Sequence, residues 1–470
     1  MLSTLPREIL LLIAGYIEAQ RDTINLARCC RLLQSLLQPT IFRSPKLRHN
    51  GVRSLSRLTN LLIPKPKLAQ HVRSLSIRSG VYSRHGGWTV RYEPDTISPV
   101  VKEMAESERE ASLWKAHLQR GLWEDPWLAL LLPFLPNLEE LEVEVYSGAL
   151  SYTSMMVGRA SQMKKPFSAE MALSRLKRVS IVRWDDQEGI GAGIEAEKLL
   201  PFFRIPSLRN FTGEVITDGS DEYEKKKVGQ KRLGFSNVTH INFFNSSSGS
   251  GFRDLIRACA GLESFVYTHS DESVNGHYGY DEFGDEYGPM PFNPPALHKH
   301  LCRHKTTLQN LVLGYNSFSL RHYGPHTEAF FGSLKDFNAL KKLDLSVYNI
   351  INWKYDEDER KYEAVNHIMD VLPASLQELT VGDLSFYNHI EVLYGITEQA
   401  TDVVHQKDET AFSKLSKLEF RGSFRSGGWA TTPGEEQLPL KPEITSMTAE
   451  LHSLCPTKGV DFRLHHGPGP

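Results

Sequence analysis

Apolar residues near the amino terminus recur at the three- and four-residue spacing of an amphipathic helix. The first stripe consists of Ile9, Leu12, Ile13, Tyr16 and Ile17. A second helix is predicted to begin at Asp22 or Thr23, either of which can serve as the N-cap, and to end at Pro39. Two short helices cannot bury so many apolar residues in each other, and so small a segment rarely folds alone. The pattern therefore predicts that residues 5–42 have a partner surface.

A different pattern recurs farther along the chain. An apolar residue is followed by two variable residues, an apolar residue, one variable residue and a further apolar residue. The central apolar residues are Leu141, Val179, Ile241, Leu311, Leu343, Leu379 and Leu418 in the clear copies, and Leu75, Phe211 and Phe265 in the weaker ones. Helical patterns lie between copies at 195–204, 251–260, 295–304, 328–337 and 362–372. Alternating strands and helices predict parallel strands joined by crossovers.

The residue after each central position indicates which faces of the predicted sheet are covered. From the second copy onward these residues are Glu142, Ser180, Thr212, Asn242, Val266, Val312, Asp344, Thr380 and Glu419. All but the two valines are polar. A doubly wound α/β enzyme is the main alternative, but helices cover both faces of its sheet and its strands are almost continuously apolar. The pattern instead predicts a sheet with one water-exposed face, as on the concave side of a horseshoe, and such a face binds proteins.

Two insertions interrupt the repeats. Residues 80–125 are charged and have helical character, whereas residues 269–290 are acidic, rich in glycine and aromatic, and predict an exposed loop. That loop either contacts a basic segment of a partner or is simply solvated.

The repeated pattern resembles leucine-rich repeats, and the copy that begins at Leu308 also has the family's asparagine, at Asn316. The amino-terminal segment resembles the F-box of fungal-type F-box proteins. The matching residues are Leu5, Pro6, Glu8, Ile9, Ile13, Tyr16, Ile17, Leu26, Cys30 and Arg31. Leu33 stands where the F-box family commonly has an aromatic residue. Together these resemblances imply an α/β fold with a helical F-box at 1–45 and an irregular leucine-rich-repeat solenoid at 46–470, with parallel strands on its concave face and helices outside.

An F-box implies a substrate-recognition subunit of an SCF-type, or cullin-RING, ubiquitin ligase. In such a ligase the F-box binds a Skp-family adaptor, and through it a cullin, while the repeats bind the substrate protein. The residues that the resemblance assigns to the adaptor are Leu5, Pro6, Ile9, Ile13, Tyr16, Ile17, Leu26, Cys30 and Leu33. The residues that repeat geometry assigns to the substrate are Glu142, Glu144, His240, Asn242, Phe244, Tyr267, Asp344 and Arg421. The alternatives are that residues 5–42 only cap the solenoid, or that the chain is a scaffold without a ligase role.

Composition narrows the class of partner. The chain has 54 basic and 56 acidic residues, a net charge of −2, so no overall field attracts it to nucleic acid or an acidic membrane. Its five cysteines show no disulfide-framework spacing, which favours a reducing compartment. Arg7 and Glu8 interrupt the first apolar run, and no stretch is apolar for the length of a membrane span. We expect a cytoplasmic or nuclear protein.

Sequence motifs for chemistry are weak. The glycines of 189–193 follow three acidic residues and have the wrong spacing for a dinucleotide-binding turn. The His and Cys residues of 298–304 put only two metal ligands on each helical face. The basic run at 225–232 is either a nuclear-localisation or phosphate-contacting patch or a solvated loop. We expect no cofactor, no metal and no catalytic residue, with the chemistry carried by partner subunits.

Overall fold

The structure is a computed structural model of the 470-residue chain. It describes residues 5–17, 19–47, 51–78, 90–145, 150–167, 173–183, 193–218, 233–270, 292–315, 330–356, 358, 361–385, 390–408, 412–425 and 439–466. These residues belong to two compact units, the first within 1–185 and 198–211 and the second within 186–197 and 212–470. Across the described ranges, no helix is both long and apolar enough to cross a membrane.

The first unit begins with three helices, α1 (Arg7–Gly15), α2 (Gln20–Arg28) and α3 (Arg31–Arg43). Its other helices are α4 (Gly51–Leu62), α5 (Pro66–Ala69), α6 (Pro94–Met104), α7 (Glu108–Arg120), α8 (Asp125–Leu131), α9 (Ser151–Ser161) and α10 (Leu200–Phe203). Its strands β1 (Lys46–Leu47), β2 (Ser74–Ile77), β3 (Glu140–Val145) and β4 (Arg178–Arg183) are parallel and adjacent in chain order. This is the predicted arrangement of parallel strands with helical crossovers.

The second unit has the same organisation. Strands β5 (Ile194–Glu195) and β7 (Ile216–Asp218) pair with each other, and β6 (Asn210–Glu214) runs across the boundary of the units at Phe211. The main parallel strands, in spatial order, are β8 (His240–Ser248), β9 (Ser264–His269), β10 (Asn310–Tyr315), β11 (Lys342–Ser346), β14 (Glu378–Ser385), β15 (Lys417–Ser423) and β16 (Asp461–His466). Strands β12 (Trp353–Asp356) and β13 (Lys361–Ala364) form an antiparallel hairpin. The helices are α11 (Arg253–Ala258), α12 (Pro294–Leu301), α13 (Val347–Ile350), α14 (Ile390–His405) and α15 (Pro442–Thr457).

The register of the strands confirms the repeat predicted from sequence. Leu75 pairs with Leu141, and Leu141 with Val179, in the first unit. In the second unit the paired residues are Ile241, Phe265, Leu311, Leu343, Leu379, Leu418 and Phe462. All of these except Phe462 at the end of the sheet are buried. Because every copy places its central apolar residue in the same row, each unit has one continuous core under its sheet.

Two of the predicted helices are wrong. The spacing of Phe331, Leu334 and Phe337 imitates a helix, and all three are buried, but residues 330–337 are not helical. The amide of Phe331 donates to the carbonyl of Asn349, so it is bonded to another segment and not within a helical turn. The predicted helix at 362–372 does not form either. Its first residues lie in β13, and a short 3-10 turn covers Ile368–Asp370.

The insertion at 80–125 does form helices where it is described, namely α6 and α7. The Ser107 Oγ caps α7 by accepting from the Glu110 amide at 3.1 Å. Gly121 ends the helix in the left-handed region (φ 60°), where a Cβ would also collide with Val90. The insertion therefore has a defined start and stop encoded in its own sequence.

Candidate protein-interaction surfaces

Helices α1, α2 and α3 share a small apolar core of their own. It consists of Leu10, Ala14, Ala27, Leu33 and Leu37, with Leu26, Cys30, Leu32, Leu36 and Ile41 packed at its margin. The predicted second helix is in fact two, because Cys30 is extended (φ −158°) and separates α2 from α3. Pro39 lies inside α3 and does not end it. The three helices form a compact module in the first unit.

One face of α1 is apolar yet exposed to solvent. Its buried residues are Leu10 and Ala14, while the residues of the opposite stripe are 37% to 83% exposed. We call this set the docking stripe: Leu5, Ile9, Leu12, Ile13 and Tyr16. Ile24 of α2 is also exposed. An apolar stripe of this kind in a folded chain marks a surface for another molecule.

Most residues assigned to the adaptor by resemblance lie on or beside this stripe. Leu5, Pro6, Ile9, Ile13 and Tyr16 are exposed, and Ile17, Leu26 and Cys30 are partly buried. Leu33 is a correction: it is buried in the core of the helical module and has no surface to offer a partner. Leu12, which the adaptor set omitted, is more exposed than Ile9, and its helical spacing from Ile9 and Tyr16 was the signal for including it.

Each sheet has one half-exposed face, as the polar positions predicted. In β3, for example, Leu141, Val143 and Val145 are buried and Glu140 and Glu142 are half-exposed. We call this half-exposed face the open face. In the first unit it is charged: Arg78 pairs with Glu142 at 3.1 Å, and Arg178 pairs with Glu140. Glu144 is half-exposed on the same strand.

The open face of the second unit has an uncharged part, formed by β8, β9 and β10. His240 and Asn242 are half-exposed there, and Phe244 is exposed. Asn242 pairs in register with Val266, and Val266 with Val312. An apolar centre with polar neighbours is the composition of many protein interfaces.

The adjoining part of the same face, on β11 and β15, carries an ion-pair cluster. Arg421 contacts Asp344 at 3.0 Å and Glu419 at 3.2 Å, and Lys417 contacts Glu419 at 2.7 Å. Burial raises the pKa of Asp344 in spite of the attraction of Arg421. Burial also tends to raise the pKa of Glu419, but the hydrogen bonds from Lys417 and Arg421 outweigh it and the pKa is lowered. Arg421 therefore holds two carboxylates in place on the face.

Tyr267 is the one substrate-assigned residue that the structure places elsewhere. It is 0% exposed, its hydroxyl contacts the Ser246 carbonyl at 3.2 Å and the His269 Nδ1 at 2.6 Å, and it cannot contact a substrate on the open face. Tyr267 is the third apolar residue of its repeat, so strand alternation points it to the core. The residues of the set that do lie on the open faces are Glu142, Glu144, His240, Asn242, Phe244, Asp344 and Arg421.

The histidine motif at 298–304 has a structural explanation. His304 is buried, contacts the Ile256 carbonyl through Nε2 at 3.0 Å, and accepts at Nδ1 from the Leu262 amide at 3.3 Å. Within the described ranges, no group of three or more His, Cys, Asp or Glu side chains can hold a metal. Three segments lie outside the described residues: the basic run at 225–232, residues 189–192 of the glycine motif and residues 271–290 of the acidic insertion.

Comparison with known proteins agrees with the repeat. The model of a leucine-rich repeat domain matches residues 51–405, which begins directly at α4 and covers most of both units. No curated protein matches the chain.

Proposed function

The chain belongs to the leucine-rich repeat domain family, and on this premise we propose that it is the substrate-recognition subunit of an SCF-type ubiquitin ligase. Leucine-rich repeats present extended sheet faces to other proteins, so a protein-interaction scaffold is the function that the family itself supports. The proposal adds a tether: α1, α2 and α3 bind a Skp-family adaptor, and through it a cullin, while the open faces bind the substrate.

The docking stripe is the observation that supports this proposal most directly. A helical cap whose only role is to close a repeat array needs a polar outer face. Here the outer face of α1 is apolar from Leu5 to Tyr16 instead. Burying five such side chains against a partner is favourable by about 25 cal/mol for each Å² removed from water. The stripe therefore favours a bound partner over a simple cap.

The proposed mechanism is proximity. A substrate held on the repeats is kept near the ubiquitin-loaded enzyme of the complex, which raises its effective concentration there. In this proposal the chain itself performs no chemical step. All five cysteines are free thiols, which supports a reducing compartment such as the cytoplasm or nucleus.

The test is co-purification of the full chain with a Skp-family adaptor. Ile9→Asp places a charge on the docking stripe, and we expect the affinity for the adaptor to fall by roughly 30-fold or more. Leu113→Asp is the matched control, because Leu113 is a 49% exposed leucine on α7 of the same unit. It leaves adaptor binding unchanged, and circular dichroism checks that both variants fold.

Two results contradict the proposal. One is an unmodified chain that does not bind the adaptor; the other is an Ile9→Asp variant that binds it as tightly as the unmodified chain. Either result leaves a protein-binding scaffold without a ligase role.

A further inference from the structure

A basic cleft opens at the edge of the first unit's sheet where the strands begin. Its volume is about 410 Å³, and it is lined by Pro39, Arg43, Gln70, His71, Arg73, Glu139 and Arg175. None of these residues belongs to the docking stripe or to the open face, although Pro39 and Arg43 lie in α3. The cleft is therefore a separate feature of the molecule.

Positive charge is in excess around this cleft. Glu139 is its one acidic residue, and that carboxylate already contacts Arg73 at 3.5 Å and Lys177 at 3.2 Å. The hydrogen bond from Lys177, together with the charges of Lys177, Arg73 and Arg175, lowers the pKa of Glu139. With Arg43, which also lines the cleft, the region therefore holds four positive charges and one carboxylate.

Two of these four cations make no ion pair with any residue that the structure describes. Over the residues that the structure describes, neither Arg43 nor Arg175 makes a salt bridge, and both side chains are exposed. Like charges that converge without a counter-ion repel one another, and this costs free energy in the unbound protein. An anion in the cleft would remove that cost.

The backbone holds the lining residues in place. The Arg73 amide donates to the carbonyl of Arg43 at 2.8 Å, which fixes the end of α3 against the start of β2. The Asn137 side chain donates to the Gln70 carbonyl at 2.8 Å, and the Glu139 amide donates to the Arg73 carbonyl at 2.7 Å. The cationic side chains thus come from separate elements that are tied together before any ligand binds, which lowers the entropic cost of binding.

We propose that this cleft binds a phosphate group. A carboxylate would neutralise one of the three excess charges, whereas a phosphate monoester carries nearly two and offers three acceptor oxygens. Arginine forks bind phosphate through paired hydrogen bonds, and the volume is large enough for one phosphorylated side chain or a small free phosphate. The proposal does not depend on adaptor docking.

Calorimetric titration of the full chain tests the proposal with three probes: inorganic phosphate, an alanine pentapeptide with a central phosphoserine, and the same peptide with serine. We expect saturable binding of a phosphate-bearing probe and none of the serine peptide. Arg43→Gln with Arg175→Gln lowers the affinity by roughly tenfold or more, since each arginine loses a charge-assisted contact. Arg120→Gln, an exposed arginine on α7, is the matched control and leaves the affinity unchanged.

The probes also distinguish the source of the phosphate. Tighter binding of the phosphopeptide than of inorganic phosphate, with the same loss in the double variant, supports a phosphorylated protein, and equal binding supports a free phosphate compound. Absence of binding by both phosphate probes overturns the proposal. So does phosphate binding that the double variant retains. Because the Arg43 and Arg175 side chains are exposed, we expect their substitution to leave the unit folded, and a melting curve checks this.

Discussion

His304 shows how burial gives a reactive side chain a purely structural role. Its two ring nitrogens contact the Leu262 amide and the Ile256 carbonyl, so the ring joins the turn after α12 to the preceding repeat. Burial lowers its pKa, and this outweighs the hydrogen bond to Ile256 that tends to raise it. The neutral ring is therefore the form that the fold needs, since it must donate at one nitrogen and accept at the other.

Substitution of this histidine tests that role. His304→Phe leaves the buried Leu262 amide without its acceptor, while the Ile256 carbonyl keeps the hydrogen bond from the Cys259 amide, and we expect the free energy of unfolding to fall by about 1–3 kcal/mol at pH 7.5. Chemical denaturation at equilibrium is the measurement. His405→Gln, at an exposed position on α14, is the control and should stay within about 0.5 kcal/mol of the unmodified chain.

The contribution of His304 to the stability of the fold depends on pH in a definite direction. Because the folded-state pKa of His304 lies below its unfolded value of 6.5, its stabilising contribution is fully present above that value and is lost as pH falls through the folded-state pKa. The difference in stability between the unmodified chain and His304→Phe should therefore shrink between about pH 7.5 and 5. A difference that grows on acidification would show that the histidine is protonated in the folded protein.

Among the elements, the inserted helices α6 and α7 are both bonded to one arginine of α9. Arg159 of α9 contacts both carboxylate oxygens of Glu110 at 2.8 and 2.9 Å, and it donates to the Met104 carbonyl at 3.0 Å. The Trp114 indole donates to the same carboxylate at 3.2 Å. Burial tends to raise the pKa of Glu110, but the contacts with Arg159 and the Glu106 amide prevail and the pKa is lowered.

Loss of this arginine should release the insertion. Arg159→Leu leaves Glu110 without its cation and the Met104 carbonyl without a donor, and we expect a loss of about 2–4 kcal/mol in the free energy of unfolding. Amide hydrogen exchange should rise first in α6 and α7, since both helices lose their hydrogen bonds to Arg159, although α7 keeps the contacts of His117 and Trp114 with Tyr152 on α9. Arg109→Leu, an exposed change on α7 itself, should leave both quantities nearly unchanged. A uniform rise over the whole unit would contradict a local fastening role.

Strands were easier to predict than helices for a physical reason. In the clear copies of the repeat the central apolar residue and the residue two places after it are both buried, and the central residues Leu311, Leu343 and Leu379 lie in register. The pattern of buried residues does not determine the structure of the connections between strands. At 331–337 the spacing of buried residues fits a helix, but the amides of Phe331 and Leu334 donate to the carbonyls of Asn349 and Val371 in other segments. Strand β16 was missed because Gly459 occupies the position where the other repeats have an apolar residue.

The candidate surfaces could also be predicted from the sequence only in part. The docking stripe follows from helical spacing, whereas Leu33 was misplaced because only packing among the three helices decides which apolar residues stay outside. The basic cleft had no signal in the sequence. Arg43, Arg73 and Arg175 are distant in the chain and come together through the strand order.

At the scale of the whole molecule, the open face of the second unit changes character along a single row of residues. In register this row reads Asn242, Val266, Val312, Asp344, Thr380, Glu419 and Arg463. It is uncharged over its first three strands and carries charged residues of both signs, together with Thr380, beyond them. A substrate that matched both parts would present an apolar segment followed by a charged one, which is how an interface combines affinity with a fixed orientation.

The docking stripe also governs how the free chain behaves in solution. Five large apolar side chains on α1 and directly beside its two ends, exposed together, are an association hazard until a partner covers them. We expect sedimentation velocity to show self-association of the unmodified chain that increases with concentration. Ile9→Asp should abolish it, because association would then bury a charge. Leu113→Asp, on a helix outside the stripe, should not. A chain that stays monomeric over the whole concentration range would contradict this expectation.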